Sequence, residues 1–244
     1  MTAERPARSL PGLFPTARES TTARGDISPT AAQPAQFLPA LSPTEREALK
    51  YLGYGASAPD ERTLALIRQV LQAARAQTRF RCVTRVMDAQ VAQDRVTLDG
   101  GYTLFSRDLA RHLAGCTRVQ LIGATLGPGA DTLLRRYQAC DLAGAACAQA
   151  ALAALLEEAL EARSCEGQTA RFSPGYGDLA LDAQPIFFDL LDLPRHLGLS
   201  LTSGGMMLPS KSVTAITGLR ANAARATHDC AHCESRDCPY RVSP

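Results

Sequence analysis

Tryptophan is absent from the chain, and aromatic residues together make up only 5% of it. A surface that holds nucleic acid by stacking bases has too few rings here. Charge of one sign is missing too: 26 Lys and Arg stand against 24 Asp and Glu, a net +2. No basic field is left to track a phosphate backbone, so no nucleic-acid partner is expected. Long apolar runs are also missing. The longest, Leu142 to Leu156, is alanine-rich and broken by Gln149, which is too short and too weak to span a bilayer. The opening residues, MTAERPARSLPGLFPTARES, hold no continuous apolar core of a signal peptide. Together these absences predict a cytoplasmic protein with no membrane partner. Disulfides are rare in that compartment, so the eight cysteines are expected to be reduced, buried or metal-bound. The four histidines are scattered and no G-x-S-x-G occurs, so no hydrolytic triad is expected.

The chain is nonetheless long enough, at 244 residues, for one large domain or two small ones with a real core. Residues 1 to 40 are rich in Pro, Ser, Thr, Ala and Arg without periodicity and read as a disordered tail. A domain is expected over 41–224, followed by a Cys-rich segment over 225–244. Ser42-Pro43-Thr44-Glu45 is a capping box with Pro at the first helical position, and Gly53 ends that helix. Asp60 caps a second helix with Leu64, Ile67, Val70 and Leu71 on one face. Phe80, Cys82, Thr84 and Val86 alternate with polar residues as a strand does. Val96-Thr97-Leu98 and Tyr102-Thr103-Leu104 flank Asp99-Gly100-Gly101 as a hairpin. A short helix over Ser106–Leu113 and a buried strand over Val119–Thr125 follow. Helical spacing then runs from Asp131 to Arg163, which predicts one long helix. A further helix is expected from about Asp182 to Leu193, then two strands around a Gly-Gly and Pro turn. Strands and helices alternate without a regular β-α-β rhythm, so the expected class is α+β.

Two glycine-rich stretches imitate phosphate sites. Gly205 to Ser212, GMMLPSKS, nearly matches a P-loop, but Ser210 stands where Gly must precede Lys, and VTAIT prefers a strand to a helix. A turn between strands is the better reading. Gly127-Pro128-Gly129 follows a strand and opens a helix, yet the dinucleotide fingerprint needs a third Gly where Thr132 stands. A plain connection is expected there.

Cys230, Cys233 and Cys238 are spaced C-x2-C-x4-C. Thiolates so close repel one another unless a metal neutralises them. Zinc would accept the three with His228 or His232. An iron–sulfur cluster would accept them with a fourth ligand, for which Cys82 is a distant candidate, and Cys238-Pro239 is similar to the Cys-Pro ending of ferredoxin runs. The alternative is a metal-free tail with a redox-active pair.

The stretch RFSPGYGD, from Arg171 to Asp178, surrounds one Tyr with a Pro and two Gly. Pro174 fixes φ, and Gly175 and Gly177 let backbone approach a ligand without Cβ clashes. Arg171 has the fork geometry for a carboxylate, and Tyr176 offers a flat wall and one hydroxyl. About thirty residues later comes SLTSGGMMLPSKSVTAITG. This pair of segments resembles the activation domain of cobalamin-dependent methionine synthase, in its free-standing form. The matching residues are Arg171, Gly175 and Tyr176, then Thr202, Met207-Leu208-Pro209 and Ser212-Val213-Thr214.

The resemblance implies an α+β fold with a mixed or antiparallel central sheet and flanking helices. It implies an S-adenosylmethionine site formed by Arg171, Ser173, Pro174, Gly175, Tyr176, Gly177, Asp178 and Ser212, with an acidic residue of the long helix. Glu157, Glu158 and Glu161 are the candidates for that role. It also implies an activity, the reductive methylation of cob(II)alamin on a methionine synthase core or another corrinoid protein, acting in trans, with an electron donor. Cobalt is then the nucleophile and the sulfonium methyl the electrophile. Such a protein needs positioning rather than a base of its own, and no catalytic side chain is expected. Two other readings remain open. One is a non-catalytic module that binds S-adenosylmethionine or a corrinoid. The other is a zinc-stabilised interaction protein in which the glycine loop is only a turn.

Overall fold

A computed structural model describes residues 41–54 and 57–220. The expected tail over 1–40 and the cysteines Cys230, Cys233 and Cys238, with His228 and His232, lie outside them. α1 spans Pro43–Tyr51. Its capping box forms as expected: Ser42 Oγ accepts the Glu45 N–H (3.2 Å) and Glu45 Oε2 accepts the Ser42 N–H (2.6 Å). Replacing Ser42 by Ala should cost about 1 kcal/mol. In a domain of this size that is a fall in Tm of about 2–4 °C, readable by calorimetry. α2, Glu61–Gln77, is capped by Asp60 and buries Leu64, Ile67, Val70 and Leu71.

The sheet follows: β1 (Arg81–Val91), β2 (Arg95–Leu98), β3 (Thr103–Phe105), β4 (Arg118–Thr125) and β7 (Ser212–Leu219), in the order β3-β2-β1-β4-β7. Every neighbouring pair is antiparallel. Between them lie α3 (Arg107–His112), α4 (Pro128–Cys140), α5 (Leu142–Glu161), a short 3-10 turn (Leu181–Ala183), α6 (Gln184–Leu191) and α7 (Leu193–Leu197). β5 (Ser200–Leu201) and β6 (Met207–Leu208) form a separate two-stranded ribbon.

β4 explains the layering. Ile122 and Ala124 point into a core made with α1, α2, α4 and α5. Val119 and Leu121 point into a second core made with α3, α6 and α7. A strand covered on both faces reads as a continuous apolar run, which is what VQLIGAT is. Arg81 and Arg85 of β1 then hold the second layer down. Arg81 donates to the Leu197 carbonyl at the end of α7, and Arg85 Nη1 donates to the Leu190 carbonyl of α6 (3.0 Å). Cations at helix C-termini also complement the helix dipole.

Three expectations are corrected. The single helix over Asp131–Arg163 is two helices, because Asp141 leaves the helical region and its carboxylate caps the Ala143 N–H (3.0 Å). Gly144 allows this corner: a Cβ there would lie 2.6 Å from Tyr137 and 2.7 Å from the Asp141 carboxylate. The helix expected to run to Leu193 ends at Leu191, because Asp192 has φ 44°, and α7 begins after it. The two strands expected after it are three. α5 is long and apolar enough to cross a membrane by length and composition. Here it is the central helix of the first core, packed against α1, α2 and α4.

Candidate functional site

The outer edge of β7 is covered by the chain that leaves α5. Thr169 N–H donates to the Gly218 carbonyl (3.0 Å), and Phe172 and Ile216 exchange both backbone hydrogen bonds (3.0 and 2.8 Å). Arg171 lies within this stretch, so its side chain is delivered to the C-terminal end of α5. Nη2 donates to Glu157 Oε2 (2.7 Å), and Nη1 donates to Glu161 Oε2 (3.3 Å) and Ser164 Oγ (3.2 Å). The Arg171 side chain is 13% exposed, against 37% for Glu157 and 54% for Glu161. The guanidinium is sunk and the two carboxylates, one helical turn apart, reach outward. One cation against two anions leaves the cluster with a net negative charge. Tyr51, the last residue of α1, joins it. Burial and the carboxylates of Glu157 and Glu47 push its phenol well above the ordinary value, so it remains a neutral hydroxyl.

The loop after Phe172 closes on itself. Tyr176 N–H donates to the Ser173 carbonyl (3.0 Å), Gly175 N–H to the Leu179 carbonyl (2.8 Å) and Leu179 N–H to the Tyr176 carbonyl (3.1 Å). Gly175 has φ 88° and Gly177 φ 55°, the left-handed region that glycine takes without strain. Pro174 is buried beneath, and Tyr176 stands edge-on to Phe172 with centroids 5.2 Å apart. Leu181 joins this loop to the β5–β6 ribbon: Cβ atoms built on Gly175 and Gly205 would lie 3.5 and 3.4 Å from it. Thr202 ties the ribbon's tip, its hydroxyl accepting the Met206 N–H (3.1 Å). Tyr176, Leu181, Met206 and Leu208 make an exposed apolar rim along the two segments.

The structure thus brings together Arg171, Glu157, Glu161 and the start of the Ser173–Gly177 loop. It places the other sequence candidates differently. Glu158 faces α1 and α2, where its carboxylate accepts from Thr44 Oγ1 (2.8 Å) and Arg75 Nη2 (2.9 Å). Ser212 opens β7, its hydroxyl bonded to Thr125 Oγ1 (2.8 Å) and the Pro209 carbonyl (2.7 Å). Asp178 is taken by the start of α3. Its carboxylate lies below the usual range, chiefly because Ser106 donates to it. Cys82 is half-buried on β1, and burial pushes its thiol up. Among the described residues no group of three His, Cys, Asp or Glu could hold a metal. The near P-loop is the turn into β7 that was expected. Tyr51 and Ser164 were not legible as site residues: nothing local in the sequence points to a contact that only α5 creates.

A three-layer α+β fold with an antiparallel sheet has a counterpart among solved structures. The fold is similar to that of a MetH reactivation domain. That structure is described as the reactivation domain bound to AdoHcy. It shares 15% identity over 73% of this chain and 76% of its own, with a TM-score of 0.50. No family model and no curated protein sequence matches the chain. The α+β class with flanking helices is therefore the fold of this protein, and the antiparallel alternative is the one realised. In this reactivation-domain-like fold, the Arg171 cluster and the loop after it form the candidate site.

Proposed function

We propose that this chain binds S-adenosylmethionine and supports reductive methylation of cob(II)alamin on a methionine synthase core or another corrinoid protein, in trans. The observation that carries the reading is the Arg171–Glu157–Glu161 cluster, immediately before the glycine loop in the chain, in a fold whose solved counterpart holds AdoHcy. The residues fit the ligand. A guanidinium has five N–H donors. Three are used by Glu157, Glu161 and Ser164, which leaves two for the ligand carboxylate. The outward carboxylates suit an ammonium, and the negative cluster suits a ligand that also carries a sulfonium. The Ser173–Gly177 backbone and Tyr176 line one side. In this reading Glu158 and Ser212 belong to the framework.

The rim of Tyr176, Leu181, Met206 and Leu208 is the face offered to the corrinoid partner. One electron from a donor and the sulfonium methyl convert cob(II)alamin to methylcobalamin and release S-adenosylhomocysteine. The protein supplies alignment of methyl and cobalt, worth several kcal/mol without any base of its own. In this reading Cys230, Cys233 and Cys238 hold a metal. Iron with acid-labile sulfide in anaerobically purified protein would make that segment the electron relay, and zinc would make it a structural clip.

The test is calorimetric titration with S-adenosylmethionine, followed by methylation of cob(II)alamin on a synthase core under reducing conditions. The expected result is saturable binding and formation of methylcobalamin that depends on this protein. Binding without methylation would make it a non-catalytic module. The absence of binding, alone and with the core present, would overturn the reading.

A further inference from the structure

The loop that the proposed function needs is not free to choose its own shape. Its far end is clasped by α3, a helix seventy residues earlier in the chain. Asp178 accepts from Ser106 Oγ, from the Arg107 N–H (2.9 Å) and from the Asp108 N–H (3.1 Å). Ser106 Oγ in turn accepts the Leu109 N–H (2.9 Å). The first three N–H groups of α3, which a helix cannot satisfy internally, are thus divided between Ser106 and Asp178. The clasp is reciprocal, because Asp108 Oδ2 accepts the Asp178 N–H (3.2 Å). Gly177 permits it: a Cβ there would lie 2.6 Å from that same oxygen and 3.1 Å from Asp108 Cβ. At the other end of α3, His112 Nε2 lies 2.7 Å from the Ala170 carbonyl, just before Arg171. The His112 ring packs on Phe172, centroids 5.4 Å apart, and Phe172 carries Tyr176.

We infer that α3 is the pedestal of the ligand loop, and that Asp108 and Ser106 are positioning residues that act through Asp178 and Gly177. The inference rests on the ligand reading above for its effect on binding. On this view Asp178 touches α3 rather than the ligand's ammonium. Its carboxylate holds residues 173–178 in the shape that offers backbone and Tyr176 to a ligand. A loop already ordered by α3 loses less entropy on binding.

Two readouts on the full chain test this, one of them independent of ligand. Asp108→Ala removes the acceptor for the Asp178 N–H and should speed amide hydrogen exchange over 172–180 while the exchange of β4 and α5 is unchanged. In the same variant the Kd for S-adenosylmethionine should rise about tenfold, the scale of one charge-assisted hydrogen bond. The methylation rate at saturating ligand should stay as in wild type, because the loss falls on ordering the loop. Asp108→Asn keeps an acceptor oxygen in place and should restore both readouts. Gly177→Ala approaches the clasp from the other side and should give the same phenotype. Combined with Asp108→Ala its effect should be less than additive, since each breaks one contact. Unchanged exchange over 172–180 in Asp108→Ala would overturn the pedestal, as would faster exchange with unchanged affinity. If wild-type protein fails to bind S-adenosylmethionine, the ligand reading falls, and the exchange measurement still decides whether α3 orders the loop.

Discussion

Arg171→Ala should lose S-adenosylmethionine binding by at least about 100-fold, the largest single effect expected at the site. The physical reason is that Arg171 serves two groups of acceptors at once. Its guanidinium holds Glu157, Glu161 and Ser164, and in the proposed function its remaining N–H donors take the ligand carboxylate. Without it, the two carboxylates stand one turn apart on α5 with no cation between them, and they repel both each other and the ligand carboxylate. The same removal should cost folding stability, about 1–3 kcal/mol, because the sunk cation leaves partners that are themselves partly solvated. Thermal unfolding separates the two effects: the variant should melt lower yet remain folded at the temperature of titration. Arg171→Lys should not rescue binding, since one ammonium cannot span three acceptors in a plane. Titration calorimetry of the three proteins checks this. Wild-type affinity in Arg171→Ala would place the ligand elsewhere.

The parts of this molecule that were legible from sequence are those whose causes are local. The capping box at Ser42 and Glu45 needs four consecutive residues, and all four are visible. The apolar run of β4 reports burial on both faces. The hairpin at Asp99-Gly100-Gly101 is written in its turn. The corner at Asp141 was hidden, because the apolar rhythm of α4 continues into α5 and the interruption is one residue long. The same holds for Asp192, a non-glycine residue with φ 44° that nothing nearby announces. At the site, RFSPGYGD displays its glycines and its Tyr, so the loop could be read. What holds the loop could not. Asp178 and Ser106 are 72 positions apart, and Arg171 meets Glu157 only because the chain turns back along β7. Glu157, Glu158 and Glu161 look equivalent in sequence. The helix decides among them: Glu157 and Glu161 share a face with Arg171, and Glu158 turns to Arg75 and Thr44. Asp178 had the right charge for a ligand ammonium, and the start of α3 is the nearer claim on it.

Gly129→Ala should be the most damaging single methyl group that can be added to the scaffold away from the site. Gly127-Pro128-Gly129 looks like a phosphate turn, but the structure gives its second glycine a packing reason. A Cβ built on Gly129 overlaps the Gln77 carbonyl oxygen, and lies 3.0 Å from the carbonyl carbon and 3.6 Å from Thr78 Cα. These are backbone atoms at the end of α2, and they cannot swing away as a side chain would. They are fixed from both sides. The Thr78 N–H donates to the Ala74 carbonyl (2.8 Å), and the Arg79 N–H donates to the Leu126 carbonyl (3.0 Å). Moving them would pull β1 against β4, where Arg81 pairs with Thr125. The better helix propensity of Ala returns at most about 1 kcal/mol. Overpacking against backbone at a junction of α2, α4 and the sheet should outweigh it, for a net loss of about 3 kcal/mol. In a domain of this size that is a fall in Tm of about 6–12 °C. Gly204→Ala is the control, since its nearest neighbour would be Thr202 Oγ1 at 4.0 Å, and its change should stay within about 0.5 kcal/mol. Equal melting temperatures for the two variants would mean that α2 and α4 do not meet as closely as Gly129 requires.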